Sequence, residues 1–481
     1  MERWILRGLA ALILLGCQSC VDQTPNSQPT RQLPNIILAM ADDQGWGDMA
    51  YNGHPVLKTP TFDEMASAGL RFDRFYAAAP VCSPTRGSVM TGRHPGRFSC
   101  FSWGHPLLPQ EITVAEALKT AGYTTGHFGK WHLGSVRLDS SVSPGNSGFD
   151  EWLSAPNFFD NDPWLSDKGV AVKTSGESSK VTVDAALEFI RKAVEKEQPF
   201  LAVVWFGSPH APHEAIEEDL QLYQDQPEGV QHFLGEITAM DRAMGHLRSE
   251  LKTLGIEDNT LLWYTSDNGA IPRGSTGGLT GKKGDIWEGG IRVPAIIEWP
   301  DRIPSPRVNT IPAATFDIYP TLLEIADVTM ADQPPLDGIS LLPLLEGDVE
   351  TRSQPMGFWD HPSAGCRTPS NQLLEELAQE QAAGTVSPAS EKTTFLSGVI
   401  NPAYSGVDLP GHAAWIDGDF KFHRIADEEG SVQYSLFELA SDREEQIDLI
   451  EQEPERAKRM QVELESWQRS VLRSINGEDY K

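Results

Sequence analysis

The chain reads as an α/β protein built on a large mixed, mostly parallel sheet sandwiched by helices, followed by a smaller C-terminal α+β unit with an antiparallel sheet. Three observations predict this. Four short apolar runs each end abruptly in a polar cluster, an amphipathic helix leads into the last of them, and the C-terminal part switches to hairpin spacing. Strands covered on both faces read as unbroken apolar runs, whereas a strand with one wet face alternates.

The first run, NIILAM (35–40), leads into Ala41-Asp42-Asp43, and YTTGHF (123–128) leads into Gly129-Lys130-Trp131-His132. FLAVVWF (200–206) leads into Gly207-Ser208-Pro209-His210, and TLLWYT (260–265) into Ser266-Asp267-Asn268-Gly269. In open α/β sheets a ligand sits outside the carboxyl ends of the strands, where these clusters fall. Ile237, Met240, Met244, Leu247, Leu251 and Leu254 follow steps of three and four, one apolar helix face before the strand at Leu261. Further on, AAWIDGDFKFHRI (413–425) predicts a hairpin at Asp417-Gly418 and YSLFEL (434–439) another strand. Ala457, Met460, Leu464, Trp467 and Val471 mark a final amphipathic helix.

Length and composition bound the function. At 481 residues and 40% hydrophobic, the chain has material for a large core plus a smaller unit. Its net charge of −29, from 39 basic and 68 acidic side chains, argues against a nucleic-acid partner, so an anion site must be a local basic patch. The N-terminus carries Arg3 and Arg7, an apolar run from Leu9 to Leu15, and Gly16-Cys17, an export signal too short to span a membrane. Leu14-Leu15-Gly16-Cys17 also resembles the bacterial lipobox, which implies a lipid anchor at Cys17; ordinary cleavage and free secretion is the alternative. The expected organisation is a signal at 1–20, a tether at 21–33 rich in Pro, Gln, Ser and Thr, a catalytic domain at 34–364, a surface insertion at 365–394, and a C-terminal subdomain at 395–476. Beyond the signal and tether, Cys82, Cys100 and Cys366 are an odd number of thiols, so at least one is unpaired or modified.

Taken singly, the polar clusters have ordinary readings as caps, loops or surface polarity. Together they offer chemistry. Asp42, Asp43, Asp267 and Asn268 present only oxygens and three negative charges, which suits a hard cation better than zinc. Arg86, Lys130, His132, His210, His213 and Lys283 supply positive or protonatable groups for one anion in an otherwise acidic chain. The segment GLTGKKGDIWEGGIRVP (278–294) brings backbone close around Lys283, and no phosphate-loop or dinucleotide fingerprint is present.

These residues carry a resemblance. Through NIILAMADDQGWGD, CSPTRGSVMTGR, GKWHLG, SDNG and KGDIWEGGIRVP, residues 34–475 resemble the type I, formylglycine-dependent sulfatases of the alkaline-phosphatase-like superfamily. The resemblance implies that Cys82 is oxidised to Cα-formylglycine by a maturation enzyme that reads Pro84 and Arg86. It implies Ca²⁺ held by Asp42, Asp43, Asp267 and Asn268 together with the modified Cys82. It also gives Arg86 the formylglycine hydroxyl, Lys130 and Lys283 the sulfuryl charge, His132 the role of base and His210 that of acid to the leaving alcohol. Lys283, rather than its neighbour Lys282, lies at the family spacing from Glu288-Gly289-Gly290.

The expected function is an exported sulfatase acting on sulfate monoesters of carbohydrates. A phosphonate monoester hydrolase or phosphodiesterase of the same superfamily, and an unmatured glycan-binding surface lipoprotein, are the alternatives. The sugar and its sulfated position depend on rim loops: Phe98–His105, Pro156–Trp164, and Trp359-Asp360-His361, with Trp359 and His361, and also His213, as candidate substrate contacts.

Overall fold

Asn35–Ala41 (β1) is buried over all but its first residue, and its alternate side chains Ile36, Leu38 and Met40 are as deeply covered as Ile37, Ala39 and Ala41. Both faces of the sheet are therefore packed, which explains why the sequence runs apolar without alternation. In the computed structural model, which describes residues 33–389, 408–427 and 429–480, β1 is the centre of an 11-stranded sheet. Its other strands are Leu70–Tyr76 (β2), Thr124–Lys130 (β3), Glu151–Ala155 (β4), Trp164–Asp167 (β5), Val170–Lys173 (β6), Phe200–Trp205 (β7), Thr260–Ser266 (β8), Arg292–Glu298 (β9), Arg307–Asn309 (β10) and Ala313–Ala314 (β11). The order is β10-β2-β9-β8-β1-β7-β3-β4-β5-β6, with β11 on β2. The central strands β8, β1, β7, β3 and β4 run parallel, whereas β9 is antiparallel to both β8 and β2, and β5 and β6 are antiparallel to their neighbours.

The helices Ser178–Glu195 and Glu228–Thr253 pack on one another, the first also against β3 and β7. The expected face of the second is confirmed: Ile237, Met240, Met244, Leu247 and Leu251 are buried in one cluster with Ile37, Ala202 and Leu262. A further group, the helices Cys82–Thr91, Val114–Lys119 and Ile318–Ile325, packs together.

At the C-terminus, Met356–Asp360 (β12), Gly411–Asp417 (β13), Phe420–Ala426 (β14) and Val432–Glu438 (β15) form an antiparallel sheet in that order. The helix Pro454–Ile475 covers it with Ala457, Met460, Leu464 and Val471. Hairpin, third strand and helix follow the sequence reading, but β12 lies outside the expected 395–476 boundary. Its pairing with β13 spans residues distant in sequence, which no local pattern displays.

The expected surface insertion, 365–394, contains the helix Ser370–Ala383. Leu374 and Leu377 are buried, and Gln381 bonds the main chain of β6 and its turn, accepting from Ala171 N at 3.1 Å and donating to Gly169 O at 2.7 Å. This part is therefore integrated into the edge of the large sheet. The signal, Cys17 and the tether through residue 32 lie outside the described residues, as do 390–394 of the insertion and 395–407 of the C-terminal subdomain. Among the described residues no helix is long and apolar enough to cross a membrane.

Candidate active site

The carboxyl ends of β1, β7 and β8 are laced together by main-chain bonds, Asp42 N to Ser208 O at 3.0 Å, Phe206 N to Met40 O at 2.9 Å and Asp267 N to Ala41 O at 3.2 Å, and β3 joins them through its ladder with β7. That lacing brings the polar clusters to one place. Gly129 helps: its φ is +98°, and a Cβ there would lie 1.9 Å from Trp205 O, so only glycine lets β3 approach β7 closely enough to present Lys130.

Cys82 opens the helix Cys82–Thr91, every residue of which is buried. Arg86 follows one turn later, so both side chains lie on one helix face. The Arg86 guanidinium is fully buried; its Nε and Nη2 donate to Asp267 Oδ2 at 3.0 and 2.7 Å, and Nη1 donates to Lys130 O at 3.1 Å. Its Nη2 also lies 3.8 Å from Asp42 Oδ1, and the guanidinium sits over the Trp205 ring at 5.1 Å.

Lys130 Nζ donates to Asp42 Oδ2 at 2.6 Å, and Lys283 Nζ donates to Asp43 Oδ1. Lys282 is exposed. Asn268 Nδ2 donates to Asp43 Oδ1 at 2.9 Å, and Asp43 N donates to Asp267 Oδ1 at 3.1 Å. The three carboxylates Asp42, Asp43 and Asp267 are thus matched by Arg86, Lys130 and Lys283, so the formal charges of the cluster cancel. Any bound cation makes it a positive pocket for an anion.

Burial pushes the Asp42 carboxyl up to about 7, against the pull of Lys130. Burial also opposes the charge on Asp43, but Lys283, His210 and Lys130 outweigh it and hold that carboxyl well below the usual range. The Cys82 thiol is pushed up by burial, with Lys130 and Lys283 acting in the other direction. Burial, reinforced by Lys130 and Arg86, keeps His132 neutral well below its ordinary range. His210 is lowered to about 4 by burial, and Asp43 partly restores it.

Two observations fit the acidic cluster to a hard cation. Asp42 Oδ1 and Asn268 Oδ1 are buried oxygens without a hydrogen-bond partner, a state that a cation relieves. Asp42, Asp43 and His210 also have donor atoms within 4.8 Å of one another, which places His210 closer to the carboxylates than its position in the sequence suggests.

His210 Nδ1 faces Ala211 O at 2.6 Å, so Nε2 is the atom turned to the site, 3.7 Å from Asp43 Oδ2. Phe158 stacks on the ring at 4.1 Å and fixes its plane. Phe158 is an orienting residue for which the sequence held no signal beyond its place in the Pro156–Trp164 rim segment.

The structure brings Asp42, Asp43, Cys82, Arg86, Lys130, His132, His210, Asp267, Asn268 and Lys283 together, and gives the remaining candidates packing contacts of their own. The His213 side chain is 2% exposed, packs on Phe233 and lies 3.6 Å from Glu236 Oε2, so it is turned away from solvent. Trp359 corrects the expectation of a sugar-stacking ring: it is 4% exposed, and its Nε1 donates to Pro410 O at 2.7 Å within the C-terminal core. The alternation of β12 turns it inward. His361, half-buried, packs between Phe101 and Trp359 at 4.6 and 5.5 Å. Cys82, Cys100 and Cys366 are all buried.

An open α/β sheet that gathers a buried helix-terminal residue, an oxygen-rich acidic cluster and three cationic side chains fits a hydrolase of anionic esters. A family model described as Sulfatase matches residues 34–328. The N-acetylgalactosamine-6-sulfatase of Canis lupus familiaris is 34% identical over 356 residues, 66% of this chain and 66% of that protein. Arylsulfatase A of Homo sapiens is 33% identical over 367 residues, 68% of this chain and 70% of that protein. The chain therefore spans about two thirds of the length of these relatives. Over 91% of this chain and 93% of the other, the fold superposes with a TM-score of 0.76 and 25% identity on a solved structure, Ps i-CgsB in complex with k-i-k-neocarrahexaose. The chain belongs to the sulfatase family, a family of sulfuric ester hydrolases.

Proposed function

We propose that the protein is an exported sulfatase that hydrolyses sulfate monoesters of carbohydrates, with Cys82 matured to formylglycine and Ca²⁺ held by Asp42, Asp43, Asp267 and Asn268. The observation that carries this reading is the convergence of Cys82, at the start of its helix, with Arg86, Lys130 and Lys283 around one oxygen cluster. The carbohydrate substrate is supported by the names of the relatives, one an N-acetylgalactosamine-6-sulfatase and one solved with a neocarrahexaose. The signal-like N-terminus supports export, and Gly16-Cys17 a lipid anchor.

The hydrated aldehyde supplies two hydroxyls on one carbon, one to attack sulfur and one whose deprotonation later expels sulfate. Asp42, Asp43, Asp267 and Asn268 would hold the cation, which would supply charge for the sulfate group. The chain's own residues do the rest. Arg86, fixed by Asp267, orients the group at position 82. Lys130 and Lys283 each carry an ammonium at the pocket floor and offset the charge that builds on the sulfuryl oxygens. With Nδ1 donating to Ala211 O, His210 presents Nε2 to the departing alcohol oxygen and delivers a proton there from its imidazolium form, which the neighbouring Asp43 favours. His132, neutral and with both ring nitrogens free of hydrogen-bond partners, takes the proton that frees sulfate.

The test is sulfate release from N-acetylgalactosamine 6-sulfate and from an aryl sulfate, using protein co-expressed with a formylglycine-generating enzyme. Turnover of the sugar ester that is lost in Cys82→Ala is expected. Turnover of a phosphodiester in preference to both sulfates would refute the reading.

A further inference from the structure

Among the described residues, Trp103 is the one large aromatic side chain left broadly open to solvent, at 38% exposure. The ring is not loose. Gly365 lies so close against it that a Cβ there would fall 2.0 Å from Cε2, 2.3 Å from Cδ2 and 2.5 Å from Nε1, a contact only glycine allows. The main chain is pinned on both sides: Cys366 N donates to Trp103 O at 2.8 Å, and Gly104 N donates to Ser83 Oγ at 2.8 Å. Gly104 has φ +78° and lies against Cys366 O with no room for a side chain. Ser83 is the residue after Cys82, in the first turn of the same helix. The indole is thus backed by protein, open to solvent, and tied to the turn that carries the nucleophile position.

A rigid aromatic surface one hydrogen bond away from the helical turn that opens with Cys82 suits a sugar ring. The C–H face of a pyranose is flat and apolar while its hydroxyls point outward from the rim, so it covers an aromatic ring and keeps its polar groups wet. Depth decides which ring. Cys82 is 2% exposed, so the sugar bearing the ester must reach inward, whereas Trp103 lies at the surface. We propose that Trp103 is a specificity-determining residue, the platform on which the sugar adjoining the sulfated one stacks. This rests on the carbohydrate reading above.

The experiment compares two probes, N-acetylgalactosamine 6-sulfate and the disaccharide in which a hexuronate is linked to it, in wild type, Trp103→Ala, Trp103→Phe and Gly365→Ala. The expected result for Trp103→Ala is a fall in kcat/KM on the disaccharide about 5- to 10-fold greater than on the monosaccharide, carried mainly by KM. Trp103→Phe keeps most of the preference, and Gly365→Ala, which displaces the ring without removing it, loses it. Equal losses on both probes, or no loss on either, overturn the proposal while wild-type turnover leaves the carbohydrate reading standing. A wild-type enzyme that cleaves an aryl sulfate and neither sugar overturns both.

Discussion

Replacing Asp267 by alanine removes the carboxylate that takes two of the three hydrogen bonds of a fully buried guanidinium. At 2.7 Å the Arg86–Asp267 pair attracts by about 6 kcal/mol at an effective dielectric of about 20. Asp42 Oδ1, at 3.8 Å, recovers part of this when Asp267 is gone. The charge of Arg86 has already been taken out of water, so the expected loss is the cost of an uncompensated buried ion, about 3–5 kcal/mol. The assay is urea unfolding followed by tryptophan fluorescence in the presence of a chelator, so that loss of a bound cation does not contribute. Arg86→Leu in the Asp267→Ala background removes the stranded charge and is expected to recover at least about 1.5 kcal/mol. An Asp267→Ala protein within about 1 kcal/mol of wild type would refute the claim that this pair holds the site together.

Two further outcomes are expected. Lys283→Met should lower kcat/KM on an aryl sulfate about 100-fold or more, and Lys282→Met less than about threefold, because only Lys283 reaches Asp43; steady-state kinetics on both variants checks this. Acidification should destabilise the fold through His94, whose Nδ1 accepts from Gly96 N at 3.1 Å and which burial lowers to about 3. A histidine with a depressed folded value contributes fully above its unfolded value of about 6.5 and loses up to about 1.4 kcal/mol per unit as pH falls toward 3. Urea midpoints of wild type and His94→Asn between about pH 6 and 4 should therefore converge on acidification, the wild type falling more steeply.

Much of this was legible in the sequence, for physical reasons that can be named. The strands β1, β7 and β8 announce themselves because double-sided burial demands continuous apolar residues, and their polar ends because the strand tips meet there, whereas β3, TTGHFGK, is marked chiefly by the polar cluster that follows it. β5 and the edge strand β6 are only four residues each and give no such run. The pairing of β12 with β13 and the seating of the Ser370–Ala383 helix depend on contacts far apart in the chain, which composition does not encode. Trp359 and Trp103 make the same point at the level of one residue. Both lie in rim segments with aromatic neighbours, yet Trp359 turns into the C-terminal core while Trp103 is held outward by Gly365, a partner remote in sequence. The cysteine count implies an unpaired thiol, and the motif around Cys82 is what points the proposed chemistry to that one.

The most direct test of the central proposal is the mass of the peptide that spans residue 82, measured on protein co-expressed with a formylglycine-generating enzyme, alongside sulfate release by the same preparation. The expected result is a Cys82 peptide lighter by the conversion of CH₂SH to CHO, with sulfate release proportional to the converted fraction. Sulfate release at full rate from protein whose Cys82 is wholly unmodified would contradict it.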